Sequence, residues 1–309
     1  NTMSMVPMII KPHHPRASEA ATKYFLMQTT ASALILVTGL LNTWQTGQWA
    51  LTHTTQEATL ALTLALMLKL GLVPGHFWLP EVFQGTSTLT ALVISTWQKL
   101  IPLAILFSIT TSPSTTVLTL GLLSALVGGW MGLNQTQMRK LLAFSSIAHM
   151  GWLITGLTLN PKLATFTLLI YGINTTTLFL IFIMTTTKSV ADLPLMLSRY
   201  PLLTKSLLLS TLSLGGLPPL AGFLPKWFIL DTLISKNLLL MATLLALASL
   251  PSLFFYTRLT YVATLTQPPT TLPAKHKWRL STTLPPALAT LTPLIFLLPP
   301  LTPALLDSA

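Results

Sequence analysis

Three lysines lie inside apolar segments of the sequence, where a positive charge is costly. Lys69 stands about two-thirds of the way along LALTLALMLKLGLVPGHFW, Lys99 is central in TLTALVISTWQKLIPLAILF, and Lys226 follows the glycines and prolines of SLGGLPPLAGFLPKWFIL. A lysine at the centre of a membrane costs ~2.5 to 3.5 kcal/mol and usually faces a bundle interior or a water-filled cavity. Because an amine in such a place can gain and lose a proton, these lysines indicate an ion or proton path.

Hydroxyl side chains at helical spacing could extend that path from Lys99. Thr88, Ser95 and Lys99 are seven and four residues apart, so on a continuous helix they share one face. Such a stripe could hold a chain of water molecules. Serine and threonine are also ordinary packing residues between membrane helices, and only the neighbouring lysine favours the functional interpretation.

Two histidines lie near the same path. His149 is the one histidine well inside an apolar segment, and Ser145 precedes it by one helical turn. A buried histidine either relays protons or forms a hydrogen-bonded part of the core, and the sequence leaves both open. His76 follows Lys69 by seven residues and is predicted to share its face, extending the path toward the basic side.

The acidic residues cannot balance these lysines within the apolar segments. All of them lie at or beyond segment ends: Glu19, Glu57, Glu81, Asp192, Asp231 and Asp307. The lysines therefore need water, hydroxyl groups, or a carboxylate from another chain or a preceding segment. Lys23 and Arg258 lie near segment ends, where long side chains reach the headgroups, and we expect structural roles for both.

The composition excludes an ordinary soluble protein. The 309 residues are 51% hydrophobic and 7% charged, with a mean hydropathy of +0.70, against about 25% charged residues in a typical soluble domain. The absence of cysteine excludes disulfides, thiolate zinc sites and iron–sulfur clusters, and a single mid-segment histidine argues against a bis-histidine haem. We expect no metal site. The net charge of +11 is interpreted as basic loops on one side of a membrane, not as nucleic-acid binding.

Nine segments are long enough to cross the ~30 Å of hydrocarbon in a bilayer. They lie near 20–42, 55–77, 85–108, 113–133, 138–158, 163–186, 205–230, 238–262 and 285–301. Residues 1–10 are expected to end a tenth helix that starts before Asn1. With alternating directions, one set of loops holds ten basic residues and includes the longest loops, 187–205 and 267–279, whereas the other holds only Lys162 and Lys236. The richer side is then cytoplasm or matrix.

Two of these segments are interrupted by glycine and proline. The interruptions are Gly71 and Pro74 in 68–81, and Gly215, Gly216, Pro218 and Pro219 in 213–230. Unwound backbone at membrane depth survives only where protein or water satisfies it, and paired interruptions indicate a transport site between inverted repeats. We predict an all-α fold: a polytopic transmembrane helix bundle with two inverted-topology repeats and two broken helices.

The chain is predicted to be a single transmembrane domain over 1–309. The remainder of the first repeat would cover 1–108, the second repeat 113–262, and a terminal helix 285–301. No composition shift marks a separate soluble domain.

The chain also carries four longer motifs: KLGLVPGHFWLPEVFQGT, STWQKLIPL, GGWMGLNQTQMRKLLAFSSIAHMGW and LGGLPPLAGFLPKWFIL. These motifs resemble the chain 2 family of mitochondrial NADH:ubiquinone oxidoreductase, respiratory complex I, and the resemblance covers essentially the whole chain. It implies an antiporter-like, proton-pumping subunit of the membrane arm in the inner mitochondrial membrane. By position, Lys69 and Lys226 match the family's lysines on the two broken helices, Lys99 matches the connecting lysine, and His149 matches the histidine of the intervening helix.

The resemblance further implies the cofactors and partners. NADH, FMN, iron–sulfur clusters and ubiquinone would serve the complex, with none bound by this chain. The partners would be other membrane-arm subunits, including neighbouring antiporter-like chains, and bilayer lipid, with cardiolipin a candidate for the basic loops. The family's membrane glutamate lies just before Asn1, so this sequence does not contain the expected partner of Lys69.

Two other interpretations use the same lysines. A free-standing cation/proton antiporter would have the same broken helices but would work without a redox complex. A scaffold subunit would use its lysines only to pair with neighbouring chains, and Lys99→Ala would then impair assembly before it impaired proton movement.

Overall fold

The computed structural model describes residues 2–10, 14–50, 54–109, 115–266 and 285–308. The predicted basic loop 267–279 lies outside the described residues. Within these ranges the chain is built from α-helices, which confirms the predicted all-α transmembrane fold.

Each predicted segment corresponds to one helix or to a pair of helices. The helices are α1 (Thr2–Ile9), α2 (Pro15–Thr46), α3 (Gln56–Leu70), α4 (Trp78–Gly85), α5 (Thr88–Ser95), α6 (Trp97–Ile109), α7 (Thr115–Gly132), α8 (Met138–Leu159), α9 (Pro161–Thr185), α10 (Leu193–Arg199), α11 (Pro201–Gly215), α12 (Phe223–Ser235), α13 (Leu239–Leu265) and α14 (Pro286–Ser308). The predicted loop 187–205 instead contains a short 3-10 helix, Val190–Asp192, followed by α10 and the start of α11.

Local signals set the ends of the long helices. Pro15 occupies the first position of α2, where its missing N–H costs nothing, and Gly47 ends the helix with φ +73°. At the start of α9, the Asn160 side chain accepts a hydrogen bond from the Lys162 N–H. These signals set both ends of α2 and the start of α9.

Two spans are broken in the middle, as the sequence predicts. The first consists of α3 and α4, separated at 71–77, and the second of α11 and α12, separated at 216–222. The first break begins at Gly71 with φ +74° and the second at Gly216 with φ +87°, and such a left-handed conformation favours glycine. The predicted span 55–77 is therefore shifted, because the membrane crossing continues through α4 to Gly85.

A third interruption separates α5 from α6 at Thr96. Its φ of −114° and ψ of −68° stay in the right-handed region but deviate from regular helix values, so α5 ends at Ser95 and α6 begins at Trp97 within one apolar, membrane-length stretch, Thr88–Ile109. The sequence has no glycine or proline at this position, so the predicted span near 85–108 is present but carries an interruption that the sequence did not indicate. The interruption lies three residues before Lys99.

Helix α8 lies at the centre of the bundle. In its most apolar stretch of 18 residues, 94% are buried, whereas the corresponding values are 22% for α2 and 33% for α13. It contacts α4, α5, α7, α9, α12 and α13. A histidine on this helix is therefore held inside protein and not against lipid.

The contact between α7 and α8 depends on glycine. A Cβ atom added to Gly151 would lie 2.6 Å from both the Ala125 nitrogen and the Gly121 oxygen, and one added to Gly128 would lie 2.6 Å from the Ala148 nitrogen. The two backbones thus approach as closely as small residues permit, which is typical of helix pairs in membranes.

We expect Gly151→Ala to destabilise the bundle by about 1 to 3 kcal/mol, because the added methyl group has no space between two backbones. The matched control is Gly172→Ala on α9, where nothing lies within 4 Å of an added Cβ. Thermal unfolding in mild detergent measures the effect. Equal melting temperatures for the two variants would contradict this account of the contact.

Candidate functional site

Lys99 is buried at the centre of the bundle and has a phenol as its partner. The side chain is 4% exposed, and its Nζ donates a hydrogen bond to Tyr171 Oη at 3.1 Å. The same nitrogen lies 5.0 Å from the centroid of the Tyr171 ring, within range of a cation–π interaction. The Tyr171 hydroxyl in turn donates to the Ser95 carbonyl at 3.3 Å. Ser95, Lys99 and Tyr171 therefore form one hydrogen-bonded group.

His149 stands on the other side of Tyr171. Its ring centroid lies 5.7 Å from that of Tyr171, and its Nε2 is 3.1 Å from Tyr256 Oη of α13. Ser145 donates to the Leu142 carbonyl of its own helix and lies beside the Tyr256 hydroxyl. Residues of α8, α9 and α13 thus continue the polar region away from Lys99.

Lys226 is held by the end of a helix. Its Nζ donates to the Gly215 carbonyl at 3.0 Å and to the Leu214 carbonyl at 3.5 Å, both at the C-terminus of α11. The last carbonyl groups of a helix lack partners within the helix, and the negative end of its dipole favours a cation. The break between α11 and α12 therefore creates the site that stabilises the ammonium group.

Lys69 also lies at the end of a helix. It is in the last turn of α3, just before Gly71. Neighbouring side chains bind the opened backbone there: Gln28 donates to the Lys69 carbonyl at 3.2 Å, and Trp78 Nε1 donates to the Leu68 carbonyl at 3.1 Å. Both broken spans thus carry a lysine next to the break, and at the second break its ammonium group contacts the helical carbonyl groups.

Two small cavities lie between these groups. One, of about 10 Å³, is lined by Lys69 and Lys99 together with Gln28 and Gln98. The other, of about 30 Å³, is lined by Tyr171, His149, Asn174 and Lys226. A cavity of ~10 to 15 Å³ suffices for one water molecule if polar groups surround it. The three predicted lysines and His149 therefore lie along one polar row, with a water-sized space on each side of the Lys99–Tyr171 pair.

Among the residues that the structure describes, no carboxylate lies within 4.0 Å of Lys69, Lys99 or Lys226. The ion pairs in this part of the chain join Lys23 to Glu19 at 2.5 Å and to Glu81 at 2.6 Å, connecting α2 with α4. Arg258 donates to the Leu133 carbonyl at 2.9 Å. Lys99 and Lys226 are thus stabilised by neutral polar groups and not by fixed negative charges of the described chain.

The prediction that His76 lies on the same helical face as Lys69 is wrong. His76 does not share a helical face with Lys69, because α3 ends at Leu70 and the following residues are not helical. The ring is 4% exposed and packs against Phe77, with 4.1 Å between the ring centroids. It is not among the residues lining the cavity of Lys69.

Thr88 lies apart from the lysine row. It begins α5 and lines a larger cavity at the basic ends of the helices, together with Arg139 and Lys188. The interruption at Thr96 separates its helix from that of Lys99. Ser95 contributes its backbone carbonyl to the row, and its hydroxyl donates to the Leu92 carbonyl instead.

The sequence analysis missed three residues of the row: Tyr171, Asn174 and Tyr256. Each stands in an apolar segment where an aromatic or amide side chain is compatible with simple packing, and none carries a charge that would signal a cost. A buried phenol nevertheless requires a hydrogen-bond partner, and this requirement was the available signal. No group of three histidine or carboxylate side chains that could hold a metal occurs in the described part of the chain.

Two models of known protein families match nearly the whole chain. Residues 2–251 match the model described as NADH:quinone oxidoreductase/Mrp antiporter, transmembrane, and residues 253–306 match NADH dehydrogenase subunit 2, C-terminus. The chain is 52% identical over 281 residues to NADH-ubiquinone oxidoreductase chain 2 of Xenopus laevis, covering 90% of this chain and 81% of that protein. With the same chain of Struthio camelus, the identity is 49% over 308 residues, covering 99% and 89%.

Solved structures show the same architecture. A chain of respiratory complex I from Thermus thermophilus with bound aureothin superposes with a TM-score of 0.84 at 28% identity, covering 98% of this chain and 72% of that chain. A chain of the Mrp complex from Dietzia sp. gives a TM-score of 0.77 at 20% identity, covering 86% and 55%. At that identity the second likeness shows the fold alone.

Adjacent glycines at the second break provide a test of the Lys226 site. In Gly216→Ala, the new Cβ would lie 3.0 Å from Lys226 Nζ on a residue with φ +87°, so we expect about 1 to 2 kcal/mol of backbone strain and displacement of the ammonium group. Gly215→Ala is the control, because its Cβ would meet Tyr256 at an ordinary 3.7 Å. Thermal stability and labelling of Lys226 by an amine-reactive reagent measure both effects. Equal labelling of the two variants would show that Gly216 does not position Lys226.

Proposed function

This chain belongs to the family of NADH-ubiquinone oxidoreductase chain 2, and on that premise we propose that Lys69, Lys99 and Lys226 carry protons through it. The protein is a multi-pass subunit of respiratory complex I in the inner mitochondrial membrane. Complex I is an NADH:ubiquinone oxidoreductase, and this membrane subunit contributes to the proton translocation that accompanies electron transfer. Its partners are other subunits of the complex.

One observation carries the proposed residue roles. The three lysines and His149 lie along one polar row inside an otherwise apolar bundle, connected by the Tyr171 phenol and by two water-sized cavities. A scaffold would not need this continuity. Dispersed lysines that only paired with neighbouring subunits would lie on the outer faces of the bundle, whereas Lys99 is 4% exposed.

Charge repulsion supplies a means of moving protons along the row. Between two ammonium groups in a poorly screened interior, repulsion is far stronger than in water. A proton arriving at Lys69 therefore disfavours the charge on Lys99, and the charge on Lys99 disfavours that on Lys226. His149 and the hydroxyl groups between them would pass the proton, and redox chemistry elsewhere in the complex would set the direction.

We also propose the two inverted repeats, 1–108 and 113–262, followed by the terminal helix. This division is supported by the opposite directions in which the two broken spans cross the membrane. Counting alternate crossings from the start of α2, the pair α3–α4 runs toward the side of Arg16, whereas α11–α12 runs away from it. In each repeat a broken span is followed by a helix that carries a basic side chain, Lys99 or Arg258.

The complex uses NADH, FMN, iron–sulfur clusters and ubiquinone, and we propose that this chain binds none of them. The absence of cysteine from the sequence supports this for the clusters. The two cavities along the lysine row, about 10 and 30 Å³, are far smaller than the ~300 to 1,000 Å³ of ordinary cofactor sites, so none of these cofactors fits within the proposed proton path.

A phospholipid headgroup, such as that of cardiolipin, is the proposed ligand of the basic cavity beside Thr88. This cavity, about 630 Å³, is lined by His14, Arg16, Arg139 and Lys188, and none of the described residues lining it is acidic. Arg139 is positioned by a hydrogen bond from its guanidinium group to the Thr86 carbonyl. Clustered cations at the matrix ends of helices are suited to anionic headgroups.

Lys226→Met should lower proton translocation by roughly tenfold or more while the complex still assembles, because it removes a group that exchanges protons and keeps the apolar stem. Lys162→Met is the matched control, since Lys162 is an exposed lysine at the start of α9. The measurement is acidification of proteoliposomes during NADH oxidation, alongside native-gel quantification of the complex. Unchanged pumping by a fully assembled Lys226→Met complex would refute the role of Lys226.

The lipid proposal is tested with the double substitution Arg16→Gln, Lys188→Gln. A photoreactive cardiolipin added to the native complex should cross-link to the basic ends of α2 and α8, and the double variant should lose these cross-links. Lys205→Gln, an exposed lysine on α11, serves as the control. Cross-links that persist in the double variant would contradict the site, as would complete protection by inorganic phosphate alone, which would indicate a free-anion site.

A further inference from the structure

Tyr171 occupies the one point where the two halves of the lysine row meet. Among the described residues, Lys99 lines the cavity on the Lys69 side, and Tyr171 lines the cavity on the Lys226 side. The hydrogen bond between Lys99 Nζ and Tyr171 Oη is the direct contact across this boundary. A proton that leaves Lys99 for the second cavity therefore meets the phenol first.

The hydroxyl of Tyr171 is held toward Lys99. Its proton is donated to the carbonyl of Ser95, the last residue of α5, and its oxygen accepts from Lys99. In this arrangement the phenol has no proton directed at the second cavity. The interruption at Thr96 supplies the helix-end carbonyl that keeps it so.

A second side chain of α9 faces the same cavity. Asn174 is three residues after Tyr171, hence on the same face of the helix, and it is 1% exposed. Its Oδ1 has no hydrogen-bond partner among the described residues. A buried amide oxygen without a partner is costly, and here it lies in a cavity large enough for water, between Tyr171 and Lys226.

We propose that Tyr171 relays protons between Lys99 and the cavity of His149 and Lys226, with Asn174 as the positioning residue for water in that cavity. This deepens the proposed function and rests on it. In the step, Lys99 gives one proton to the Tyr171 oxygen while the Tyr171 hydroxyl gives its own proton to the cavity. One proton enters and one leaves, so the phenol stays neutral. The hydroxyl must turn away from the Ser95 carbonyl for each transfer. In the conformation described, proton transfer through Tyr171 is therefore blocked.

The test compares Tyr171→Phe with Tyr261→Phe in complex I assembled with each variant chain. Tyr171→Phe keeps the ring and removes only the hydroxyl, whereas Tyr261 is 60% exposed on α13 and serves as the control. Proton translocation per electron is measured in proteoliposomes, together with NADH oxidation and the amount of assembled complex. We expect roughly a tenfold or greater loss of translocation in Tyr171→Phe, with assembly equal to the control.

A purely structural role gives a different result. If the phenol only supports packing, Tyr171→Phe will reduce assembly and electron transfer together and leave the translocated protons per electron unchanged, which overturns the proposal. Should Tyr171→Phe fail to assemble, Asn174→Leu decides: it removes the buried oxygen while roughly keeping the volume. Loss of translocation per electron in an assembled Asn174→Leu complex supports the relay, and normal translocation overturns it.

Lys226→Met in the same preparation distinguishes failure of the proposed function from failure of the relay alone. Normal pumping by Lys226→Met would remove the proposed function, and the relay with it. Impaired pumping by Lys226→Met together with normal pumping by Tyr171→Phe would remove the relay alone.

Discussion

The cost of placing an ammonium group in an apolar bundle is the constraint on which the other features depend. Three lysines bear this cost in the described chain, and no carboxylate of that part of the chain lies beside them. The structure uses neutral dipoles instead. Lys226 binds carbonyl groups at the end of α11, Lys69 lies in the last turn of α3, and Lys99 binds the phenol of Tyr171. Each lysine therefore depends on neutral groups of the protein and not on a fixed counter-charge of the described chain.

The helix breaks follow from the same constraint. An uninterrupted helix satisfies its own carbonyl groups and has none to offer at membrane depth. Gly71 and Gly216 end α3 and α11 in the left-handed conformation, which exposes carbonyl groups in the middle of the bilayer. The remaining open backbone is then satisfied by Trp78 and by Ser213, whose hydroxyl accepts from the Gly222 N–H at 3.2 Å. Breaking a helix and burying a lysine are thus two parts of one solution.

The sequence predicts well the features that are energetically unfavourable in a membrane helix, and poorly the neutral side chains that fit there without cost. Lys69, Lys99 and Lys226 stand out because charge in apolar segments is rare, and the two breaks stand out because glycine and proline interrupt helices. Tyr171 and Asn174 carry no such signal, and the interruption at Thr96 has neither glycine nor proline to mark it. The prediction for His76 failed because helical periodicity was extended past Gly71, where the helix ends. Local propensity reveals where a chain is under strain, but not which neighbour across the bundle relieves it.

The close contact of α7 with α8 has a mechanical consequence. Backbones that touch through Gly121, Gly128 and Gly151 leave no room to slide or rotate against each other. Helices α7 and α8 thus form a rigid pair at the centre of the bundle, and His149 on α8 is held in place by it. We therefore expect movements during turnover to occur outside this pair, at the helix breaks that begin at Gly71 and Gly216 and in single side chains such as the phenol of Tyr171. The subunit would then work as a fixed frame with small moving contacts, and not as two halves that rock against each other.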